Sequence, residues 1–251
     1  MTATPPAPAR DVPSNMADRL IVALDVKTPE AASDLVDRLD GTATFFKIGM
    51  WLLFAKGTDA LIDRLVDKGN NVFLDYKMYD IGQTVKEGVA RARERGAKIV
   101  TIHGDDAIMK AAVEGKGGDA KLKLFAITVL TSMNDDDLAG MGYRLTVPEL
   151  VELRVRKAAE CGVDGVIASA ADNPAELRRR AGAPGLLIGT PGVRSPGVAV
   201  HDQKRVATPE GAIRAGADYI VMGRQITEAA DPAAEARKVI AEMERGAAPA
   251  A

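Results

Sequence analysis

The stretch Phe73-Leu74-Asp75-Tyr76-Lys77-Met78-Tyr79-Asp80-Ile81-Gly82-Gln83-Thr84 sets two acids and a lysine at the end of an apolar run. Asp75 and Lys77 are two residues apart, so on a strand their side chains share one face. Inside a hydrophobic fold each charge would cost several kcal/mol unless paired, which places the pair at an open strand end. A structural ion pair closing that end is the plain alternative. Two further charges weigh against it: Asp25 ends the run LIVALDV, and Lys47 interrupts FFKIG. Four charges of alternating sign meeting at one mouth are suited to moving a proton or stabilising developing charge, and are rarely structural alone.

A second set lies late in the chain. Gly189-Thr190-Pro191-Gly192-Val193-Arg194-Ser195-Pro196-Gly197 and Met222-Gly223-Arg224-Gln225-Ile226 both follow apolar runs. At such a place a glycine lets backbone N–H groups approach an anion and an arginine offers a two-pronged donor, so Gly223 and Arg224 are expected to bind phosphate. His103 ends another run, either as a base or as a hydrogen-bonded wall residue. His201 lies in a polar loop with no comparable signal. The acidic run after Asn134 lacks the glycine and distal glutamate of an EF-hand, and is expected to begin a helix.

These residues must be held by the elements around them. Short apolar runs fall at 20–26, 45–49, 71–77, 98–103, 123–130, 165–170, 186–190 and 219–223. Each is nearly continuous, as expected for parallel strands covered on both faces. Amphipathic stretches such as 29–39 and 85–96 separate them, and Gly69, Gly96, Gly162, Gly182 and Gly216 mark helix stops before the next strand. Eight strands alternating with helices predict a single (β/α)8 TIM barrel, with Asp25, Lys47, Asp75, His103, Thr131, Ser169, Pro191 and Gly223 at the carboxyl ends. In barrels of this kind the loops after strands seven and eight commonly bind phosphate. A doubly wound sheet is the other candidate, but no GxGxxG follows the first strand.

Composition narrows the classes further. The chain has 251 residues, 47% hydrophobic and only 4% aromatic, and 33 Lys+Arg against 35 Asp+Glu give a net charge of −2. That length permits two small domains or one α/β barrel, and the low aromatic content suits a barrel interior of branched aliphatic side chains. No basic block points to nucleic acid, and no run approaches the ~20 apolar residues of a membrane span. The single cysteine, Cys161, excludes an internal disulfide framework and reads as a small packed residue. Residues 1–19 are expected to form a disordered Pro/Ala-rich leader, 20–245 the barrel, and 246–251 a frayed tail. A soluble cytoplasmic protein is expected.

The motif DYKMYDIGQT resembles the Asp-x-Lys-x-x-Asp-Ile signature of the orotidine 5′-phosphate decarboxylase family. ALDV at 23–26, FFKIG at 45–49, TVLTSM at 128–133, TPGVRSPG at 190–197, HDQKR at 201–205 and MGRQIT at 222–227 are similar to the family's other blocks, in order. The resemblance implies decarboxylation of orotidine 5′-phosphate to UMP without metal or cofactor, by a homodimer. Lys77 would donate the proton to C6, Asp75 would sit near the departing carboxylate, and Lys47 would hold Asp75 in a charged chain. Asp25 would bind the ribose, while Asp80, Ile81 and Thr84 would reach the site, Asp80 and Thr84 from the neighbouring subunit. Thr131 and Ser132 would lie over the pyrimidine, and Pro191, Arg194, Gln203, Gly223 and Arg224 would surround the phosphate. Met78-Tyr79 and Gly82-Gln83 stand where many members carry Phe-His and Pro-Asn; every charged position is present.

Two rivals share parts of this pattern. Decarboxylases and aldolases of the same barrel group that act on phosphorylated keto-sugars with magnesium also carry Asp-x-Lys-x-x-Asp. They place a glutamate on strand two for the metal, where this chain has Lys47. A non-catalytic nucleotide-sensing barrel would keep Gly223 and Arg224 and lose the charge cluster, which is intact here.

Overall fold

The computed structural model describes residues 10–198 and 207–248. Eight strands close into a barrel in sequence order: β1 (Leu20–Ala23), β2 (Phe45–Gly49), β3 (Asn71–Met78), β4 (Ile99–His103), β5 (Lys123–Ile127), β6 (Gly165–Ile167), β7 (Leu187–Thr190) and β8 (Tyr219–Met222). All eight neighbouring pairs are parallel. The eight-fold alternation expected from the apolar runs is therefore the fold. The five glycines marked as helix stops take left-handed backbone with φ between +66° and +96°, a region that L side chains enter only at a cost. The acidic run begins the helix Asp135–Gly140, with Asn134 and Asp137 forming a reciprocal capping box. No helix among the described residues is long and apolar enough to cross a membrane.

One parity governs the inside of the barrel. Odd-numbered strand residues form the interior cluster Ile21, Ala23, Phe45, Phe73, Ile99, Phe125, Leu187, Tyr219 and Val221. Even-numbered neighbours such as Val22, Phe46, Val100 and Ile220 join the larger core between strands and helices. Because the strand period is two, the same parity carries Asp25, Lys47, Gly49, Asp75 and Gly223 to the carboxyl end of the interior.

The filling of that interior differs from the expected branched aliphatic layers. Phe45, Phe73, Phe125 and Tyr219 occupy it, with Tyr219 edge-on to Phe45 and Phe125 at ring separations of 5.9 and 6.1 Å. The reason is the pairing of large with small. A Cβ on Gly165 would lie 2.7 Å from the Phe125 ring, and one on Gly189 would lie 3.3 Å from it. Two strands without side chains at this level leave the space that a ring fills, so the few aromatic residues form a floor beneath the mouth.

The chain ends also depart from expectation. Residues 10–19, inside the segment expected to be a leader, are part of the fold. Arg10 pairs with Asp218 at 3.0 Å and Asp11 with the buried Lys123 at 2.5 Å. Val12 packs against the interior cluster, and a short helical turn spans Met16–Arg19. These residues strap the amino-terminal end of the barrel, because Lys123 and Asp218 would otherwise be buried charges lacking part of their compensation. Asp218 also accepts from Arg178 and from the Ile188 N–H. At the other end, the last helix, Pro232–Ala247, extends two residues into the segment expected to fray.

The helix Gly82–Glu94, which carries Thr84, crosses the helix Asp106–Lys116 closely enough that a Cβ on Gly115 would strike the Lys86 carbonyl. Gly115→Ala is expected to lower stability by about 1–3 kcal/mol, the usual cost of overpacking, seen as a lower urea midpoint. Gly140→Ala, with nothing within 4 Å of the added carbon, should leave the midpoint unchanged or raise it slightly.

Candidate active site

A cavity of about 540 Å³ opens at the carboxyl ends of the strands, within the range of small-molecule sites. Of the residues singled out from the sequence, Asp25, Lys47, Asp75, Lys77, Thr131, Pro191, Arg194, Gly223 and Arg224 line it. Four of them form one alternating chain. Lys47 Nζ lies 3.1 Å from Asp25 Oδ1 and 3.4 Å from Asp75 Oδ2, and Lys77 Nζ lies 2.8 Å from Asp75 Oδ1. The inner pair is the more buried: the side chains of Lys47 and Asp75 are 10% and 14% exposed, those of Asp25 and Lys77 42% and 39%. The chain thus has a closed centre and two ends open to the cavity, one anionic and one cationic.

Space and strain both shape this chain. Gly49 keeps room beside it, since a Cβ there would sit 2.9 Å from Lys47 Nζ and 3.1 Å from Asp25 Oδ1. Asp75 and Lys77 meet through a distortion instead of the simple strand alternation expected. Between the partners Leu74↔Val100 and Met78↔Ile102 the register shifts, so residues 75, 76 and 77 lie opposite Thr101 alone. Lys77 takes φ +47°, a left-handed backbone that costs an ordinary residue about 1–2 kcal/mol. Thr101 holds the distortion in place. Its hydroxyl accepts from the Lys77 N–H at 2.9 Å and donates to Asp75 Oδ1 at 2.9 Å. Local strain at a residue aimed into a cavity is a mark of function.

The electrostatics follow from this geometry. Burial pushes the Asp75 carboxyl up, but the charges of Lys47 and Lys77 and the hydrogen bonds from Lys77 and Thr101 outweigh it. The carboxyl is held below its usual range and stays an anion. Apolar Ile127, Val129, Leu130 and Ile167 form another part of the wall, so the charged chain borders a surface suited to a flat ring. Arg194 and Arg224 lie at the mouth of β7 and β8. Next to Arg194, Val193 bridges to Ala207 and the Arg194 N–H donates to the Ala207 carbonyl at 2.9 Å.

The model of the orotidine 5′-phosphate decarboxylase / HUMPS family matches residues 18–239. The chain belongs to this family. Its relatives include proteins named orotidine 5′-phosphate decarboxylase from Methylobacterium nodulans, 49% identical over 93% of this chain and 98% of that one. Another, from Methylobacterium radiotolerans, is 50% identical over 90% and 96%. Among solved structures, orotidine 5′-phosphate decarboxylase from Lactobacillus acidophilus matches with a TM-score of 0.79 at 34% identity, covering 90% of this chain and 99% of that chain.

Not every residue expected at the site of this family member reaches the cavity. Asp80, Ile81, Thr84 and Ser132 are exposed and lie outside its lining, and the Asp80 carboxylate accepts from the Ile81 N–H at 2.7 Å. Gln203, like His201, falls outside the described residues. His103 is not among the residues lining the cavity; its Nδ1 is 3.1 Å from Asp105 Oδ2 and its ring lies 4.4 Å from that of Tyr79. Thr101 and Gly49 went unnoticed in the sequence. The only signals were a hydroxyl interrupting the apolar run KIVTIH and a glycine at the strand end of FFKIG.

A lowered carboxyl pKa contributes stability that is complete above the unfolded-state value near 3.9 and is lost as pH falls through the folded value. The unfolding free-energy difference between wild type and Asp75→Asn should therefore stay constant from about pH 7 to about pH 5, then shift toward the variant below about pH 4. Urea denaturation across that range tests it. A shift already present above pH 5 would mean a raised carboxyl pKa.

Proposed function

We propose that this protein decarboxylates orotidine 5′-phosphate to UMP in pyrimidine biosynthesis, without metal or cofactor, with Lys77 as the proton donor. The observation that carries the reading is the alternating chain Asp25–Lys47–Asp75–Lys77 at the cavity. When carbon dioxide leaves, the C6–carboxylate bond breaks and its electron pair stays on C6, a ring carbon with no adjacent electron sink. A fixed cation beside that carbon lowers the energy of the developing charge. The Lys77 ammonium then gives a proton to C6 and recovers one from solvent. Asp75, kept anionic by its neighbours, holds the ammonium in position and faces the departing carboxylate.

The other roles distribute around this axis. Asp25, at the open anionic end, is assigned to the ribose hydroxyls, and Thr131 and Ser132 to the pyrimidine. Pro191, Arg194, Gln203, Gly223 and Arg224 are assigned to the phosphate. Binding energy gathered there, remote from the reacting carbon, can order the site for chemistry. A magnesium-dependent sugar-phosphate reaction is disfavoured because the Lys47 ammonium already stands between the two carboxylates that would attract a divalent cation.

Asp80 and Thr84 are assigned to the site of a second copy in a homodimer. Their exposure, and that of Trp51, Phe54, Tyr79 and Ile81 at the same end of the barrel, supports that arrangement, because apolar side chains grouped at one end favour burial against a partner. A cytoplasmic location goes with the same reading.

Purified protein should convert orotidine 5′-phosphate to UMP, followed by the fall in pyrimidine ultraviolet absorbance, with equal rates in the presence and absence of EDTA. Lys77→Ala should abolish turnover while still binding nucleotide. No turnover by the wild type, inhibition by the chelator, or near-normal turnover by Lys77→Ala would each refute part of the reading. Inactive Lys77→Ala and Asp80→Ala subunits should regain activity when mixed, through hybrid dimers holding one intact site. Failure of rescue despite demonstrated subunit exchange would sink the shared site.

A further inference from the structure

Outside the charged chain, one polar network links the two loops assigned to the phosphate. Gln225 follows Arg224 in the short helix Arg224–Thr227, and Ser195 follows Arg194 after β7. The Gln225 side-chain amide engages Ser195 twice: its Oε1 accepts from the Ser195 N–H at 3.0 Å, and its Nε2 donates to Ser195 Oγ at 2.7 Å. Nε2 also donates to Glu235 Oε1 at 2.6 Å. The Ser195 hydroxyl in turn donates to Glu242 Oε2 at 2.8 Å. Ser195 and Glu242 are only 2% and 5% exposed. Both acids belong to the last helix, Pro232–Ala247, so three parts of the chain meet on one amide.

Each polar group in this network has a complementary partner, which a buried network needs to be stable. Its placement gives it a further consequence. The residues immediately before Ser195 and Gln225 are the two arginines at the cavity, so the amide fixes the separation of the backbones that carry them. Arginines recognise a dianion well only when their forks already sit at the right spacing, since a small misplacement forfeits much of the interaction.

We propose that Gln225 is a positioning residue for the phosphate end of the substrate, setting the distance between Arg194 and Arg224 through Ser195. This rests on the assignment of those arginines to the phosphate. Gln225 itself is not required to touch the ligand. Gln225→Ala removes all three amide contacts and leaves Ser195 and Glu242 paired with each other. Gln225→Met keeps the side-chain length without the polar atoms, and Ser195→Ala is milder because its backbone N–H can still donate to Gln225.

The test compares ligands with and without the phosphate, alongside steady-state kinetics. UMP and uridine are titrated by calorimetry into wild type and the three variants, with folding checked by thermal melts. Gln225→Ala and Gln225→Met should weaken UMP about tenfold, the order set by one or two net hydrogen bonds' worth of positioning. Uridine affinity should change less than about twofold on the same reasoning. Ser195→Ala should move UMP affinity in the same direction by less. In turnover, KM for orotidine 5′-phosphate should rise more than kcat falls. Equal weakening of UMP and uridine, or lower melting temperatures with UMP affinity intact, would reduce the network to a structural staple and overturn the proposal. Wild type that binds UMP no better than uridine would overturn both the phosphate assignment and the role of Gln225. Wild type that binds UMP but fails to turn over the substrate would refute only the decarboxylation, and the UMP-to-uridine ratio would still decide the positioning role.

Discussion

The contact between Lys47 and Asp75 is the constraint on which the rest of the site depends. Both side chains are nearly closed off from solvent at the mouth of an apolar barrel, where an unpaired charge would be strongly disfavoured. Each neutralises the other, and each then presents its remaining valence outward, Lys47 to Asp25 and Asp75 to Lys77. Removing either inner partner would leave the opposite charge buried and would free the outer one. The geometry of the exposed Asp25 and Lys77 is therefore inherited from the buried pair between them.

That pair is held by a floor and a distorted wall. Below it, Phe45, Phe73, Phe125 and Tyr219 fill the interior against glycines at 165 and 189. Beneath them, the segment from Arg10 to Arg19 ties off the barrel through Asp218 and Lys123. On the wall, the register shift in β3 aims Lys77 toward Asp75 with left-handed backbone. Thr101 offsets that local strain by satisfying both residues with one hydroxyl. A rigid floor lets strain persist at the mouth, because the surrounding packing over-determines the conformation.

Across the mouth, the arginines are governed by a different kind of contact. Their spacing is set by neutral and charged hydrogen bonds among Gln225, Ser195, Glu235 and Glu242, at one remove from the cavity. The two ends of the cavity thus differ in kind: one carries a chain of alternating charge, the other two arginines whose backbones are tied together from behind.

Much of this was legible in the residues themselves. Strand periodicity and apolar runs determined the barrel, because parallel strands covered on both faces leave a recognisable pattern. Polar residues at the run ends determined that Asp25, Lys47 and Asp75 share a mouth, because strand parity sends every second residue inward. Motif order determined the family. The tertiary structure alone decided the rest: the aromatic floor, the strap from Arg10, the bulge that brings Lys77 onto Asp75, and the contacts of Thr101, Gly49 and Gln225. Each of these depends on what lies across the barrel or behind a loop. Phe125 fits because Gly165 and Gly189 are small, and Thr101 matters because three residues of β3 face it. Such contacts join residues distant in the chain, and a local pattern of residue types does not encode them.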